Sequence, residues 1–514
     1  MSARTLDRIV LDAADQSPGA AAVYDTLGVC SYRELSELSW NAATSIAGAA
    51  PSGARIGVRM PASRYAVAAM HGALRAGAIF VPVAPAATAA EVRAIVRAAR
   101  LDALVCAPDQ AARLTVGLSC PVIPARFELA PRGGDRVDLR ERADTVSEDD
   151  PAYALILPQE LGEPRVLARS HRSALSFVDW AADRLDLCAL DRLATQSPIA
   201  SYRAILEQHA VFARGGSVVL IPEEHAASLP SVLDWVSAHS ASVLSVSTTA
   251  LASQEWSGDA FEAARRHLRL ALLFGRPCPS ADTRRLRRAL PRVRLLTLYG
   301  HAETGVCAFH ELGRVRDARV GATPIGTACC GARLFATRSD GRRALVGQDG
   351  ELVVAGATVA AGDPGHAPGA ESEHTTGDVV RVGKDGTFEY LGRCDAMVSV
   401  RGHQIELAAV ESALLRSPRI DQAALVVRGS GVRARLRAYI VPTAVASPSP
   451  LEVKQICAQK LPPYIVIDRV RAVSELPRTL SGEIDRRRLT ALANGASRSN
   501  PDACSSEHER RSEA

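Results

Sequence analysis

The stretch HTTGDVVRVGKDGTFEYLGRCDAMVSVRGHQIELAAVE, residues 374 to 411, decides the fold. Its first half alternates apolar and polar residues around an Asp-Gly pair, which predicts two antiparallel strands joined by a tight turn. Its second half passes from a short strand through a turn into a helical pattern. A further strand follows at RLRAYIVP, residues 435 to 442. These elements predict a compact last domain of roughly a hundred residues.

The sequence before this stretch alternates apolar runs with helical patterns. ARIGVRM at 54–60 and AIFVPV at 78–83 are typical of buried strands, and SRYAVAAMHGALRAG at 63–77 is typical of the helix between them. Such βαβ alternation predicts parallel sheets covered by helices. After about residue 320 the chain becomes rich in glycine and in short alternating strands. We therefore predict an α/β protein whose large N-terminal domain has parallel-rich sheets covered by helices and a β-rich subdomain, followed by a small α+β domain.

Composition excludes several classes of protein. The 514 residues include 47% hydrophobic ones, enough for a large core, and 61 basic against 56 acidic residues leave a net charge of only +5. This balance argues against nucleic acid as a partner. Charged residues interrupt the apolar stretches, so we predict neither a membrane span nor a signal peptide. Eleven cysteines without a Cys-x-x-Cys pair fit neither a disulfide framework nor a zinc site, which favours a cytoplasmic location.

Several segments occur in the order typical of one enzyme superfamily. They are SYRELSELSWNAA (31–43), LRAGAIFVPVAP (74–85), LYGHAETG (298–305), GELVVAG (350–356), the stretch 374–411, LPPYIV (461–466) and LPRTLSGEIDRRRL (476–489). Over nearly all of residues 5 to 490 the chain resembles the adenylate-forming superfamily of acyl-CoA synthetases, luciferases and nonribosomal peptide synthetase adenylation domains. The phrase from 389 to 411 is more similar to amino-acid-adenylating members. The resemblance implies ATP, AMP and Mg²⁺ as ligands, and a mobile C-terminal domain.

The domains implied by the resemblance are a large N-terminal domain at 1–394, a small cap at 395–490 and a disordered polar tail at 491–514. Asp378 resembles the carboxylate that binds the ribose, and Arg393 resembles the cation that contacts ribose or phosphate. A structural pair between two strands is the alternative for these two residues. Asp395 resembles the hinge about which the cap rotates, with a simple surface turn as the alternative.

Glu303 in LYGHAETG resembles the Mg²⁺ ligand of the family, since a carboxylate oxygen suits that ion. Tyr299, Gly300 and Thr304 beside it are expected at the nucleotide. The alternative for Glu303 is a solvated acid at a helix start, where the helix dipole favours a negative charge.

The segment DPAYALILPQELGEPRVLARSHRSAL, 150–175, occupies the place of the family's phosphate loop but departs from its Ser/Thr/Gly-rich pattern. Of the residues that would bind phosphate, Gly162 is kept and Arg165 replaces a lysine. Pro158 has no N–H to donate to an anion. Glu160 adds a negative charge where pyrophosphate would leave.

Four further positions depart from the family. Glu483 stands where the family carries the lysine that bridges the substrate carboxylate and the α-phosphate. Losing such a donor typically costs ~10² to 10³ in rate. Gly275 and Arg276 replace a Gly-Gly-Glu pattern, and Ser399 replaces another lysine.

The expected acid pocket also differs from that of enzymes that activate α-amino acids. Counting back from ARGGSVVLIP places Tyr202 near the Asp that pairs with the substrate ammonium in those enzymes. The other predicted pocket residues are apolar and favour an aryl or aliphatic group, with plain core packing as the alternative: Leu206, Leu298, Val306 and Cys307.

Two hypotheses follow from the sequence. The first is a stand-alone adenylate-forming ligase that activates a small carboxylic acid (amino, aryl or acyl) with ATP and transfers it to CoA, a separate carrier protein or an amine. Glu303 and Arg393 would be catalytic in it. The second is a diverged member that no longer adenylates, and is either an ATP-independent acyl-transfer catalyst with His171 or His301 as base or a non-catalytic ligand-binding partner. The degenerate loop and Glu483 support the second.

Overall fold

A computed structural model describes most of the chain. The described residues are 4–127, 136–157, 164–226, 228–248, 259–275, 280–313, 324–360, 372–394, 397–400, 403–415, 417, 419–429, 434–443, 448–460, 465–477 and 485–494. They form two compact units, one comprising Met1–Thr376 and Val380–Tyr390 and the other comprising Gly377–Val379 and Leu391–Ala514. The predicted boundary at 394/395 stays a prediction.

Strands occur along the whole described chain. The first eight are β1 (Ala21–Asp25), β2 (Gly28–Ser31), β3 (Arg55–Arg59), β4 (Ile79–Pro82), β5 (Ala103–Cys106), β6 (Val122–Pro124), β7 (Pro151–Leu157) and β8 (Arg165–Ser170). The next eleven are β9 (Arg192–Thr195), β10 (Ser217–Leu220), β11 (Val243–Ser247), β12 (Leu270–Phe274), β13 (Arg294–His301), β14 (Gly305–Glu311), β15 (Pro324–Ala328), β16 (Arg333–Thr337), β17 (Asp349–Ala355), β18 (Glu373–Val382) and β19 (Phe388–Arg393). The last five are β20 (Met397–Val400), β21 (His403–Glu406), β22 (Ile420–Arg428), β23 (Arg435–Pro442) and β24 (Ile467–Ala472).

Helices alternate with the strands in the first unit. They are α1 (Leu6–Gln16), α2 (Tyr32–Ala47), α3 (Arg64–Arg75), α4 (Ala89–Ala99), α5 (Pro108–Thr115), α6 (Arg136–Asp144), α7 (His171–Arg184), α8 (Tyr202–Phe212), α9 (Glu223–Ala226), α10 (Leu229–Ala238), α11 (Asp259–Ala264) and α12 (Ser280–Ala289). The second unit contributes α13 (Leu407–Leu415), α14 (Pro450–Lys460) and α15 (Arg486–Asn494). Within the described residues, no helix combines the length and the apolar character that crossing a lipid bilayer requires.

Local sequence signals explain where helices begin. Ser31 and Glu34 form a capping box at the start of α2, and Thr88 and Glu91 form another at α4. In each, the hydroxyl accepts from the backbone N–H three residues on, while the glutamate accepts from the backbone N–H of the cap residue. These bonds satisfy donors that a helix start leaves unpaired.

The first unit contains two large sheets. A six-stranded sheet has the order β6-β5-β3-β4-β7-β8, in which only the β7–β8 pair is antiparallel. A thirteen-stranded sheet has the order β16-β17-β18-β19-β15-β14-β13-β12-β11-β9-β10-β1-β2. Its strands from β1 through β10, β9, β11 and β12 to β13 are parallel, and β13, β14 and β15 continue antiparallel. The change places the end of β13 where a parallel sheet meets the β-rich segment.

The second unit has its own core. Antiparallel β22–β23 and parallel β23–β24 form a three-stranded sheet, and β20 and β21 form a hairpin. Apolar residues of α13 and of this sheet pack together, among them Leu414, Leu425 and Ile440. Arg486 on α15 donates to both carboxylate oxygens of Glu411 on α13, at 2.7 and 2.8 Å. Three strands with a covered apolar face are enough to hold such a unit together.

Three buried histidines predict that the protein loses stability in acid. His71 on α3 and His209 on α8 face each other with ring centroids 4.9 Å apart, and the Nδ1 of His171 accepts a hydrogen bond from the backbone N–H of Leu6. Burial lowers the pKa of His171 and of His209 to about 4, and it lowers the pKa of His71 well below its usual value. Below a pH of about 6.5 the unfolded chain binds protons that the folded chain does not, so acid favours unfolding.

At about pH 5 we expect each of the three histidines to cost the folded state about 2 kcal/mol relative to neutral pH. The free energy of unfolding, measured from about pH 7.5 down to pH 5, checks this. His71→Leu is the matched variant, because neither ring nitrogen of His71 has a hydrogen-bond partner. It should be folded at neutral pH and lose about 2 kcal/mol less on acidification. An unchanged acid sensitivity in this variant would contradict the prediction.

Candidate active site

The turn between β13 and β14 carries the predicted metal ligand Glu303. The Thr304 hydroxyl accepts from the backbone N–H of His301 at 3.0 Å and donates to the Gly305 carbonyl at 3.0 Å. The backbone N–H of Ala360 donates to the Glu303 carbonyl at 2.8 Å. The Glu303 side chain is half-buried. These bonds hold the backbone of the turn and leave the carboxylate partly accessible.

This geometry corrects one sequence-based alternative. The alternative of a solvated acid at a helix start is wrong for Glu303, because the residue lies in a β-hairpin turn, where no helix dipole acts on it. Gly300 shows how tight the hairpin is, because a Cβ there would lie 1.8 Å from the Gly305 carbonyl oxygen. Only glycine fits at this approach of two strands.

A buried arginine holds the same turn by hydrogen bonds to its backbone. Arg169 on β8 is 2% exposed, and its Nη2 donates to the Ala302 carbonyl at 2.7 Å. Its Nη1 donates to the Ser173 hydroxyl at 3.0 Å and also to the Thr358 carbonyl. Burial lowers the pKa of Arg169 below its usual value. Arg169 was not predicted as a site residue, although an arginine that directly follows the apolar run at 166–168 was a usable signal.

Several titratable side chains lie around His374 on β18, close to the Glu303 turn. Burial lowers its pKa below the ordinary value, and its ring lies within electrostatic range of Glu303, His301, Arg165 and Arg169. Arg165 therefore lies in the same region as Glu303, as the nucleotide-site prediction requires. A partly accessible carboxylate beside two arginines can bind phosphates and a divalent ion.

Tyr202, at the start of α8, joins the predicted acid pocket to the turn. Its hydroxyl donates to the Gly300 carbonyl at 3.2 Å. Burial raises the pKa of Tyr202 to about 12, so the hydroxyl is neutral. One turn along α8, Glu207 accepts hydrogen bonds from the hydroxyls of Thr195 and Ser245 at 2.6 and 2.7 Å. Burial raises the pKa of this carboxyl, and Arg203 lies within electrostatic range of it.

The predicted apolar pocket residues do not all pack together. Leu206, Leu298 and Val306 belong to one buried cluster, and Cys307 belongs to a second one with Tyr299. The Cys307 thiol donates toward the Tyr299 carbonyl at 3.7 Å. Neighbours on a strand point to opposite faces of a sheet, so Val306 and Cys307 separate. The four remain pocket candidates, with Cys307 facing away from the other three.

The predicted ribose site lies in the second unit. Asp378 on β18 is 2% exposed, and its carboxylate lies 3.4 Å from Nη1 of Arg393 at the end of β19. A Cβ on Gly377 would lie 2.8 Å from Nη2 of Arg393, and the φ of Gly377 is +75°. The backbone N–H of Cys394 donates to the Gly377 carbonyl at 2.6 Å. The two predicted residues thus meet, with a glycine that leaves room for the guanidinium.

Several predicted residues lie outside the described part of the chain. These are Gly162 with the rest of 158–163, Arg276, Asp395, Glu483 and the tail from 495. The Ser399 backbone lies in β20, and its side chain is not described. His171 is buried and bonded to the start of α1, which favours a structural role over that of a base. Among described residues, no group of three or more His, Cys, Asp or Glu side chains is arranged as a metal site.

Comparisons with known families place the chain. Residues 10–362 match the family described as AMP-binding enzyme, and residues 409–483 match the AMP-binding enzyme C-terminal domain. The chain belongs to the AMP-binding enzyme family. The predicted resemblance to adenylate-forming enzymes is therefore confirmed, and so is the prediction that the chain is an AMP-forming ligase by family.

Individual relatives of this AMP-binding enzyme are similar over most of their length. It is 36% identical over 439 residues to an L-proline–[L-prolyl-carrier protein] ligase of Pseudomonas fluorescens, covering 84% of this chain and 87% of the relative. It is 27% identical over 509 residues to syringomycin synthase SyrB1 of Pseudomonas syringae pv. syringae, covering 95% and 82%. The first of these relatives is named as a ligase of an amino acid, in line with the predicted likeness to amino-acid-adenylating members.

Solved structures confirm the fold. The anthranilate CoA ligase AuaEII, solved in complex with anthranoyl-AMP, aligns with a TM-score of 0.77 at 20% identity, covering 96% of this chain and 99% of that one. A likeness at this identity shows the fold alone. The predicted fold class, a large α/β N-terminal region with a smaller C-terminal one, is confirmed for this AMP-binding enzyme.

Proposed function

We propose that this AMP-binding enzyme activates a small carboxylic acid with ATP, in specialised metabolism, and passes the acyl group to a thiol or amine. The carboxylate attacks the α-phosphorus of ATP, the bond to pyrophosphate breaks, and an acyl-adenylate forms. The acceptor then attacks the acyl carbon and AMP leaves. A separate carrier protein is the favoured acceptor, because the Pseudomonas fluorescens relative is named for one. CoA is the second candidate.

The observation that carries the proposal is the buried Asp378 carboxylate held against Arg393 at 3.4 Å. A carboxylate can accept hydrogen bonds from both hydroxyls of a ribose, and the guanidinium adds donors for ribose or phosphate oxygens. Tyr299, Gly300 and Thr304 would line the nucleotide at the hairpin turn. Arg165 and Gly162 would serve the phosphates.

Mg²⁺ fits the residues at the turn. It is usually held by one or two carboxylates together with substrate phosphates, so the single partly exposed carboxylate of Glu303 is sufficient. The ion would neutralise charge that develops on the phosphates. Glu303 would hold it, while Arg169 keeps the turn in place through the Ala302 carbonyl.

Exchange of labelled pyrophosphate into ATP, measured with a panel of acids, tests the proposal. We expect an acid-dependent signal that Glu303→Gln lowers about a hundredfold, because the amide keeps the size but loses the charge that binds the ion. Glu262→Gln is the control, since Glu262 pairs with Arg265 on the surface and is 48% exposed. Equal exchange in Glu303→Gln and the wild type would contradict the assigned role.

A second candidate function rests on specific residues of the sequence. Pro158, Glu160 and Glu483 replace groups that would bind phosphates or bridge the two anions. They favour a diverged member that transfers acyl groups without ATP or binds a ligand without catalysis. If no acid gives exchange and millimolar ATP with Mg²⁺ leaves the melting temperature unchanged, this second function replaces the first.

A further inference from the structure

We propose that the acid pocket of the first unit is cationic and takes an acid with a second anionic group, such as a dicarboxylate, which Arg169 and Arg203 bind. The inference rests on the proposed function, because it names the class of acid that this enzyme activates. It follows from two arginines that lie near Tyr202 and form no ion pair with any carboxylate in the described part of the chain.

Arg169 is a buried cation that forms no ion pair with a described carboxylate, although Glu303 lies within its electrostatic range. Its three hydrogen bonds go to two carbonyl oxygens and one hydroxyl, and its Nε has no hydrogen-bond partner. A guanidinium has five N–H groups, so two remain available to a ligand. Arg169 lies opposite Tyr153 in the β7–β8 register and within electrostatic range of Tyr202. Burying an unpaired charge is unfavourable, which calls for an anionic partner.

Arg203 reaches the same region from α8. Its guanidinium carbon lies 5.1 Å from the centroid of the Phe274 ring. Phe274 ends β12 and is the register partner of Leu298, one of the predicted pocket residues. Among the described residues no carboxylate forms an ion pair with Arg203. Stacking on the Phe274 ring orients the planar guanidinium of Arg203, and its N–H groups can still donate hydrogen bonds to a carboxylate.

Tyr202 lies near both arginines, and because it carries no charge it leaves the pocket with a net positive charge. Its hydroxyl is neutral and donates to the Gly300 carbonyl, and it lies within electrostatic range of both Arg169 and Arg203. An ammonium group brought here would meet two cations, and the nearest acids, Glu303 and Glu207, already interact with Arg169 and Arg203 respectively. An anionic group would meet two guanidinium forks, each able to bind a carboxylate through two hydrogen bonds.

The pocket is tested with pairs of acids that differ only in the second charge. Butanoate is compared with butanedioate, and benzoate with benzene-1,3-dicarboxylate, by pyrophosphate exchange and by the shift in melting temperature. We expect half-saturation at concentrations at least about tenfold lower for each diacid. Arg203→Gln should remove that preference, so that each diacid half-saturates the enzyme at about the same concentration as its monoacid. Arg203 is chosen because Arg169 also braces the turn at Ala302.

Arg192→Gln is the matched control. Arg192 also lies over a ring, 5.0 Å from the Tyr24 centroid, but not at the pocket, so its variant should keep the diacid preference. A preference for monoacids, or a diacid preference that survives in Arg203→Gln, overturns the inference while the proposed function stands. If no acid gives exchange but the diacids raise the melting temperature of the wild type and not that of Arg203→Gln, the proposed adenylation is contradicted and the cationic pocket is supported. If no acid gives exchange and no diacid stabilises the protein, both are overturned.

Discussion

Replacing Glu483 with lysine is expected to raise acid-dependent pyrophosphate exchange by about 10² to 10³-fold. In the adenylate-forming enzymes that the sequence resembles, a lysine at this position bridges the substrate carboxylate and the α-phosphate. Removing one such charge-stabilising donor typically costs that factor in rate. A carboxylate about 4 Å from another anion adds roughly 1 to 4 kcal/mol of repulsion at effective dielectric constants of 80 to 20. The lysine would remove the repulsion and supply the missing cation.

Glu483→Gln is the control for this gain, since it removes the negative charge without adding a positive one. Its exchange rate should lie between those of the wild type and Glu483→Lys. If lysine and glutamine give the same rate, charge repulsion alone explains the effect of Glu483. If neither variant changes the rate, the prediction is wrong and the phosphate loop, with Pro158 and Glu160, becomes the decisive departure.

Asp378→Asn is expected to weaken ATP binding about tenfold to a hundredfold. Hydrogen bonds to a charged group contribute about 1.5–3 kcal/mol, and the amide keeps the size of the side chain but presents one acceptor oxygen in place of a carboxylate. The shift in melting temperature caused by ATP with Mg²⁺ should shrink accordingly. Titration of that shift with ATP, in the wild type and the variant, measures the change.

Asp349→Asn is the matched control for Asp378→Asn. Asp349 also pairs with an arginine of a neighbouring strand, Arg381 at 2.7 Å, but it is 46% exposed and lies outside the predicted site. This variant should bind ATP like the wild type. Unaltered ATP binding by a folded Asp378→Asn variant would mean that the Asp378–Arg393 pair only joins two strands, as the structural alternative holds.

The elements of the fold followed from patterns that act over short distances in the sequence. The apolar run AIFVPV became the buried strand β4, and the preceding helical pattern became α3. Both could be predicted because a buried strand and an amphipathic helix each repeat their burial pattern within a few residues. The sequence predicted only that the chain becomes rich in glycine and short strands after about residue 320. It did not predict the switch from parallel to antiparallel pairing near β13, since strand order depends on contacts between distant segments.

The candidate site was predicted less completely. Asp378, Arg393 and Glu303 could be proposed from the sequence because they stand in long motifs that resemble a family. Arg169 and His374 lie inside quoted segments, 150–175 and 374–411, but they were not singled out, because their importance comes from neighbours far along the chain. Cys307 was expected beside Val306 in one pocket, but the alternation of a strand places the two in different clusters.

The sequence by itself determined the α/β class, the family, and the motif residues that bind a nucleotide in similar enzymes, because motif order and apolar periodicity are properties of the linear chain. Only the tertiary structure decided that Arg169 lies buried beneath the Glu303 turn, that Arg203 stacks on Phe274, and that both lie near Tyr202. The physical reason is that the charge of a pocket is a sum over side chains from separate strands and helices. Folding brings those side chains within a few ångströms, and burial then makes an unpaired charge costly enough to demand a partner.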